Sequence, residues 1–394
     1  LEEAIEAYSI AIMIKPDYAG AYNNMGNTLK EHGKLDKAVR FYKEALCIEL
    51  DYAEAHNNVG VALKDQGKLR KAIMSYKKAL SINTHLPEAI ENLSILEIQL
   101  LASKYFSSVI SKLCHFLSSE FHERPKLHIQ NAIGSFLKAD FNSVQKYCDF
   151  YSRCDPKLSA KLHPKDQTFC SAYYGFLLNL IDYPLSVKPV ENSHKVIFHL
   201  GESHCLSYAH HQINIGSNNY TVVPRITFGA KVYHFSRKKN DAFKAITKAN
   251  FNSLPNGSKV LISFGEIDCR PNEGFIVAAK KFNKPIAEII SATVRGYLDW
   301  FRKQNEKKSH SLFFFNVPAP SYDNEISSEL NNEVAATVKE FNKVMKETTR
   351  LYGFNLIDVY SITVNDNIFS NEQYHIDRRH LGPRAIYAIE QQLS

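Results

Sequence analysis

Two rhythms of apolar positions divide the chain. Over residues 1–100, hydrophobic and small residues recur at helical spacing and the runs break at Pro16, Gly33, Gly67 and Pro87, which predicts short helices joined by tight turns. From residue 195 the apolar residues come instead in short continuous runs. Strands are predicted at 196–200, 220–223, 260–264, 311–317 and 355–359, with helices at 206–214, 285–304, 328–351 and 383–393. Continuous apolar strands alternating with amphipathic helices imply a parallel sheet covered on both faces, a three-layer α/β domain whose site lies at the carboxyl ends of the strands. Between the two regions the chain stays apolar and aromatic at helical spacing, as in Ile133, Phe136, Leu137, Phe141, Val144 and Tyr147. Residues 182–193, with Pro184 and Pro189, read as a linker. The expected domains are therefore 1–100, 101–190 and 191–394.

The first hundred residues repeat themselves. At a period of 34, Tyr22, Gly26, Leu29, Gly33, Ala38, Tyr42 and Ala45 fall over His56, Gly60, Leu63, Gly67, Ala72, Tyr76 and Ala79, with Ala4, Tyr8, Ala11 and Pro16 one period earlier. This pattern resembles the tetratricopeptide repeat (TPR), an all-α solenoid in which small residues let paired helices touch and aromatics fill the space between neighbours. A third repeat starts near Pro87 with Ala89, Ile90 and Leu93 in frame, but Ser94 stands at the glycine position. Residues 101–190 then read as degenerate repeats that cap the array. Asn23, Asn24, Asn27, Asn57 and Asn58 fall on the first helices of successive repeats, which line the groove. Such an asparagine ladder is similar to the peptide-gripping face of the superhelical repeats of O-GlcNAc transferases; the plainer alternative is asparagine tolerated on a wet face.

The stretch V-I-F-H-L-G-E-S-H-C, 196–205, ends a buried strand at Gly201 and presents Ser203 where a helix would begin. There it is either a helix cap or a nucleophile beside unpaired backbone N–H groups. Near the end, Asp377 and His380 are three apart. A carboxylate and an imidazole at that spacing can meet while the other ring nitrogen faces outward, as a base for a serine must. Together these blocks resemble the SGNH/GDSL hydrolases, with a flavodoxin-like parallel sheet. The resemblance implies Ser203 as nucleophile, His380 as general base and Asp377 as its orienting group; His375, two residues before Asp377, is the lesser candidate for the base. It further implies an oxyanion hole from Ser203, Gly229 and Gly265. Two departures stand out: Glu202 replaces the usual aspartate, and Ile267 stands where the third block has asparagine. Glu266, Asp268 and Arg270 after the third strand are either an internal ion-pair network or a substrate-binding group, Arg270 having a fork suited to an anion or a sugar hydroxyl. The histidines 199, 204, 210 and 211 match no standard ligand spacing, so neither a metal nor another cofactor is expected.

The 394 residues are 44% hydrophobic, ample for several folded domains. The formal charge of +7 is uneven: 12 Lys+Arg against 14 Asp+Glu in residues 1–100, and 36 against 27 in the rest. Basic and acidic residues are interspersed, so no nucleic-acid partner is expected. Seven cysteines without C-x-x-C spacing fit a reduced, cytoplasmic setting. No run reaches the length of a membrane span. The chain opens on leucine, inside the second helix of a repeat, which points to a longer natural array and leaves an upstream segment open. The expected function is a serine-dependent esterase or acyltransferase acting on O-acyl, specifically acetyl, groups of a carbohydrate, with the repeats holding a protein or peptide partner. The alternative is a non-catalytic scaffold with a degenerate C-terminal domain, attached to glycosylation or polysaccharide assembly.

Overall fold

A computed structural model of the chain describes residues 2–100, 124–183, 195–366 and 368–393. The chain divides into two compact units, Leu1–Leu101 with Lys239–Ile246, and Ala102–Lys238 with Thr247–Ser394. The first is an array of helical hairpins: α1 Glu2–Ile14, α2 Ala19–Glu31, α3 Leu35–Ile48, α4 Ala53–Asp65, α5 Leu69–Ile82 and α6 Pro87–Leu100. The 34-residue pattern has a direct steric cause. Tyr42 and Tyr76 are fully buried, and a Cβ added at Gly60 would lie 2.5 Å from the Tyr76 ring, with Gly26 placed in the same way over Tyr42. Gly33 and Gly67 close the turns after α2 and α4 at φ +69° and +73°, a conformation that side chains with a Cβ resist. Ser94, at the third glycine position, is buried in α6.

The second unit begins, among described residues, with helices α7 Pro125–Leu137, α8 Phe141–Ser152, α9 Pro156–Lys161 and α10 Pro164–Ile181. Of the linker read over 182–193, residues 184–193 lie outside the described residues, as does the segment 101–123. A six-stranded sheet follows: β1 Lys195–Gly201, β2 Gln212–Ile215, β3 Asn218–Ile226, β4 Lys259–Ser263, β5 Ser311–Phe315 and β6 Asn355–Ile357. The helices that accompany it are α11 Val232–Ser236, α12 Ala242–Ser253, whose residues 242–246 fall in the first unit, α13 Phe275–Phe282, α14 Ile286–Asn305, α15 Ser328–Leu351, α16 Val359–Thr363 and α17 Ile386–Glu390. The strand order is β2-β3-β1-β4-β5-β6. All pairs are parallel except β2 with β3.

Without β2 this is the flavodoxin-like order, whose direction reverses between β1 and β4, so a crevice opens beyond their carboxyl ends. Strand alternation divides the core into two layers. Phe313 and Phe315 pack with Ile197, Leu261, Leu381 and Ile389 on one face, while Phe314 meets Tyr297 and Phe301 of α14 on the other. Helix α14 supplies them at helical spacing, burying Ile290, Val294, Tyr297, Leu298 and Phe301.

Two expectations about elements are corrected. Residues 206–214 do not form a helix: His210 takes φ +67°, and its N–H donates to the Val222 carbonyl at 2.8 Å. The chain is thereby pulled into an antiparallel edge strand in which Ile213 and Ile215 point inward. Residues 383–393 hold a 3₁₀ turn, Pro383–Ala385, before the short α17 rather than one continuous helix.

Candidate active site

Strand β1 delivers Ser203 to the crevice. Gly201 is the last strand residue, and a Cβ there would stand 2.7 Å from the Ser263 carbonyl oxygen on β4, so close approach of the two strands requires glycine. Ser203 opens a 3₁₀ turn, Ser203–Leu206, capped by the Glu202 side chain. From 177 positions away, His380 Nε2 comes within 2.8 Å of Ser203 Oγ. His380 Nδ1 donates to Asp377 Oδ2 at 2.7 Å, and Asp377 Oδ1 accepts the backbone N–H groups of Arg379 (2.8 Å) and His380 (2.7 Å). Burial works to raise the Asp377 pKa, but the His380 hydrogen bond and charge and these N–H groups prevail, holding it at about 2. The His380 ring stacks on Phe176 of α10 with centroids 4.1 Å apart. His375 engages elsewhere, its Nδ1 2.9 Å from Ser370 Oγ.

Glu202 changes the expected picture. Being one methylene longer than aspartate, it folds back so that Oε2 accepts the Ser203 backbone N–H at 2.7 Å and the Ser203 hydroxyl at 2.5 Å. The hydroxyl proton thus has two acceptors within reach, Glu202 and His380, and the Ser203 N–H expected in the oxyanion hole is already engaged. The other Glu202 oxygen pairs with His204 Nδ1, while His204 Nε2 donates to the Arg379 carbonyl at 3.0 Å. Burial opposes both charges, yet each is held by the other: the Glu202 carboxyl lies well below its ordinary range and His204 is raised to about 9.

A histidine raised in the folded state contributes stability that is complete below its unfolded pKa, about 6.5, and vanishes as pH climbs through about 9. We therefore expect thermal stability to fall between about pH 7 and 9. The variant His204→Gln should flatten that part of the curve; an unchanged alkaline slope in the variant would refute the pairing.

After β4, Gly265 takes φ +133° beside the Phe341 ring, and Glu266, Asp268 and Arg270 separate in role. Arg270 forks onto Glu266, at 2.6 Å from Nη2 to Oε2, and reaches Glu273 at 3.4 Å. The ion-pair alternative raised by the sequence is therefore present. Asp268 points away from the cavity: it accepts the N–H groups of Val232 (2.7 Å) and Tyr233 (3.1 Å) at the start of α11. Burial pushes its pKa up to about 7 against the pull of those N–H groups. As a substrate-binding residue it is misplaced; it anchors α11. Ile267 is buried in the 3₁₀ turn Ile267–Cys269, and its side chain carries no donor. Gly229 stands at φ +65° in the turn after β3.

A cavity of about 490 Å³ lies beside the serine. Ser203 and His380 do not line it, but their neighbours Glu266 and Arg379 do, with Thr168 of α10 and the wall 317–320. Two ion-pair clusters border it, Arg270 with Glu266 and Glu273, and Arg378 with Asp323 (3.0 Å) and Glu325 (3.3 Å). Glu202, His204 and Glu266 could together offer a cation three ligand atoms within 4.8 Å of one another, though these atoms face His204, Ser203 and Arg270 in the bonds above. The contribution of α10 was invisible to sequence reasoning. Thr168, Tyr173 and Phe176 fit an ordinary amphipathic pattern, and no local signal announces that this helix covers a crevice built from residues after 195.

In the repeats, Asn58 Nδ2 donates to Asn23 Oδ1 at 3.0 Å and Asn92 Nδ2 to Asn57 Oδ1 at 3.1 Å, so asparagines tie each repeat to the next. Asn27 Oδ1 accepts from the Tyr42 hydroxyl at 2.9 Å. Asn24 is exposed.

The TPR family matches residues 1–33 and 26–67, and again residues 53–85 as a tetratricopeptide repeat. The N-terminal region therefore carries TPR repeats, a scaffold for protein–protein interaction. No curated protein matches the chain. Among solved structures, the chain overlaps YrrB, described as a TPR protein with an unusual peptide-binding site, at 18% identity over 43% of this chain and 84% of that one, with a TM-score of 0.31. It overlaps PilF of Pseudomonas aeruginosa at 17% identity over 45% and 91%, with a TM-score of 0.32. A lipase/acylhydrolase from Enterococcus faecalis is 15% identical over 50% of this chain and 93% of that one, with a TM-score of 0.33. No helix among the described residues is long and apolar enough to cross a membrane.

Proposed function

We propose that the C-terminal domain is a serine-dependent esterase or acyltransferase. What carries the proposal is the chain of contacts from Asp377 Oδ2 to His380 Nδ1 (2.7 Å) and from His380 Nε2 to Ser203 Oγ (2.8 Å) at the carboxyl end of β1. In it, Ser203 attacks the acyl carbon while His380 takes the hydroxyl proton. Asp377 stabilises the resulting imidazolium, which then protonates the leaving oxygen. Transfer of the acyl group to water or to a second hydroxyl completes the cycle.

The substrate class we favour is a short acyl ester on a carbohydrate. The adjoining cavity supports it: carboxylate and guanidinium edges alternate around a space of about 490 Å³, and such rims offer a polyhydroxylated acceptor both donors and acceptors. The repeats would recruit a protein or peptide partner, with Asn24, the Nδ2 of Asn27 and the Oδ1 of Asn58 left to meet a peptide backbone. Among the described residues Cys47, Cys148, Cys205 and Cys269 are free thiols, which suits a reducing, cytoplasmic setting.

A fluorophosphonate probe tests the chemistry. The full chain should be labelled at Ser203, and Ser203→Ala should lose the label while melting at the same temperature. Persistent inertness of well-folded protein would instead favour the second reading, a TPR scaffold whose C-terminal domain binds a glycan or peptide without cutting it. The observations on that side are Ile267 and the capture of the Ser203 N–H by Glu202.

A further inference from the structure

One hydrogen bond between two segments fixes a distance but leaves them free to pivot about it. A second, made elsewhere, fixes the angle as well. Ser203 and His380 stand 177 positions apart and meet at 2.8 Å. A second bond joins the same two segments: His204 Nε2 reaches the backbone carbonyl of Arg379, the residue before His380, at 3.0 Å.

These contacts close into a circuit. Glu202 Oε2 takes the Ser203 N–H at 2.7 Å and lies within reach of the hydroxyl, while Glu202 Oε1 pairs with His204 Nδ1. From Arg379 the circuit continues through its N–H to Asp377 (2.8 Å), from Asp377 to His380 Nδ1 (2.7 Å), and back to Ser203. Both ring nitrogens of His204 therefore face acceptors. The Arg379 carbonyl can only accept, so Nε2 carries a proton. Glu202, whose other oxygen already draws the Ser203 N–H, presents an anionic oxygen to Nδ1, which carries one too. A neutral imidazole has a single N–H to give and could hold only one end. The His204 side chain is 12% exposed and that of Glu202 3%, so the pair is largely shielded from the water that weakens surface ion pairs.

We infer that His204 is a positioning residue, a doubly protonated strut that ties the turn bearing Ser203 to the block bearing Asp377 and His380. The assignment rests on the ester chemistry proposed above. His204 moves no proton in that reaction: the Ser203 proton passes to His380 Nε2 and on to the leaving oxygen, while both His204 protons stay in place. What the strut supplies is the angle between Ser203 Oγ and the His380 lone pair, set before substrate arrives. The two imidazole rings lie with centroids 4.7 Å apart, so the charge on His204 would oppose an imidazolium at His380 were it not offset by Glu202. Carboxylate and strut are needed as a pair.

The test uses the full chain. At pH 7 the ¹⁵N spectrum of the wild type should show both ring nitrogens of His204 protonated, and an unprotonated ring nitrogen there overturns the strut. On a short aryl ester, His204→Ala should lower kcat by about 10² with KM within about threefold, the scale of a misplacement of about 1 Å, and should slow fluorophosphonate labelling of Ser203 by the same factor. A kcat within threefold of wild type overturns the assignment. Because alanine also leaves the Glu202 carboxylate without its cation, the double variant Glu202→Gln with His204→Ala removes that charge. It should remain at least as slow as His204→Ala alone; recovery to within threefold of wild type overturns the strut, since the loss then came from the orphaned carboxylate. Should the variants fail to fold, the ¹⁵N measurement on the wild type still decides. A folded wild type whose Ser203 resists fluorophosphonate sinks the ester chemistry as a whole, whereas a labelled wild type with an unimpaired His204→Ala sinks only the strut.

Discussion

Replacing Asp377 by asparagine should lower kcat on an aryl acetate by about 10⁴ at neutral pH, the scale set by orienting carboxylates in serine triads. The geometry explains why so small a change should cost so much. Oδ1 of Asp377 accepts two backbone N–H groups, from Arg379 at 2.8 Å and His380 at 2.7 Å. Only an oxygen satisfies both, so the amide of an introduced asparagine must keep its oxygen there and turn its NH₂ toward His380 Nδ1. That nitrogen becomes an acceptor, the ring proton moves to Nε2, and the face toward Ser203 Oγ, 2.8 Å away, presents a proton where the mechanism needs a lone pair. Fold and substrate affinity should survive, so KM and melting temperature should stay close to wild type. A variant retaining more than a tenth of wild-type kcat would show that Asp377 does not set the tautomer, and Glu202, the other acceptor within reach of the Ser203 proton, would become the candidate base.

How far the sequence anticipated this arrangement depended on whether a residue's role was local. The repeat register was legible because Gly26 over Tyr42, and Gly60 over Tyr76, recur at a fixed distance along the chain. The parallel strands were legible because burial on both faces leaves continuous apolar runs. Ser203 stood out because it follows a strand that stops at a glycine, and Asp377 and His380 because a carboxylate and an imidazole three apart can meet. What the sequence hid was set by contacts between distant segments. Asp268 resembled a pocket residue because three charges followed a strand; that its carboxylate turns to the start of α11 depends on where Val232 and Tyr233 arrive. Residues 206–214 carry enough apolar positions to pass for a helix, and only the pairing of 210–215 with β3 decides otherwise, a tertiary override of local pattern. The single methylene separating Glu202 from aspartate is plain in the sequence, but its reach to both the N–H and the hydroxyl of Ser203 is not.

The largest stability effect should come from Tyr76. The side chain is fully buried against Gly60, and truncation to alanine leaves a cavity whose cost for an aromatic side chain is about 3–5 kcal/mol. In a stack where each hairpin is stabilised chiefly by its neighbours, such a loss is felt beyond the mutated repeat. Hydrogen exchange on the full chain should therefore show protection in α4 and α5 collapsing first, with α3 and α6 following. A comparison of the two equivalent tyrosines separates ring from hydroxyl. The Tyr42 hydroxyl donates to Asn27 at 2.9 Å, whereas one period later the matching position is Val61 and the Tyr76 hydroxyl has no hydrogen-bond partner among the described residues. Removing a paired hydroxyl costs about 1 kcal/mol, while removing a buried unpaired one relieves a desolvation penalty. Tyr42→Phe should thus destabilise and Tyr76→Phe should be neutral or stabilising, even though Tyr76→Ala is the most damaging of the three. If Tyr76→Phe proves as costly as Tyr42→Phe, the Tyr76 hydroxyl has a partner after all, and the asymmetry between the two repeats disappears.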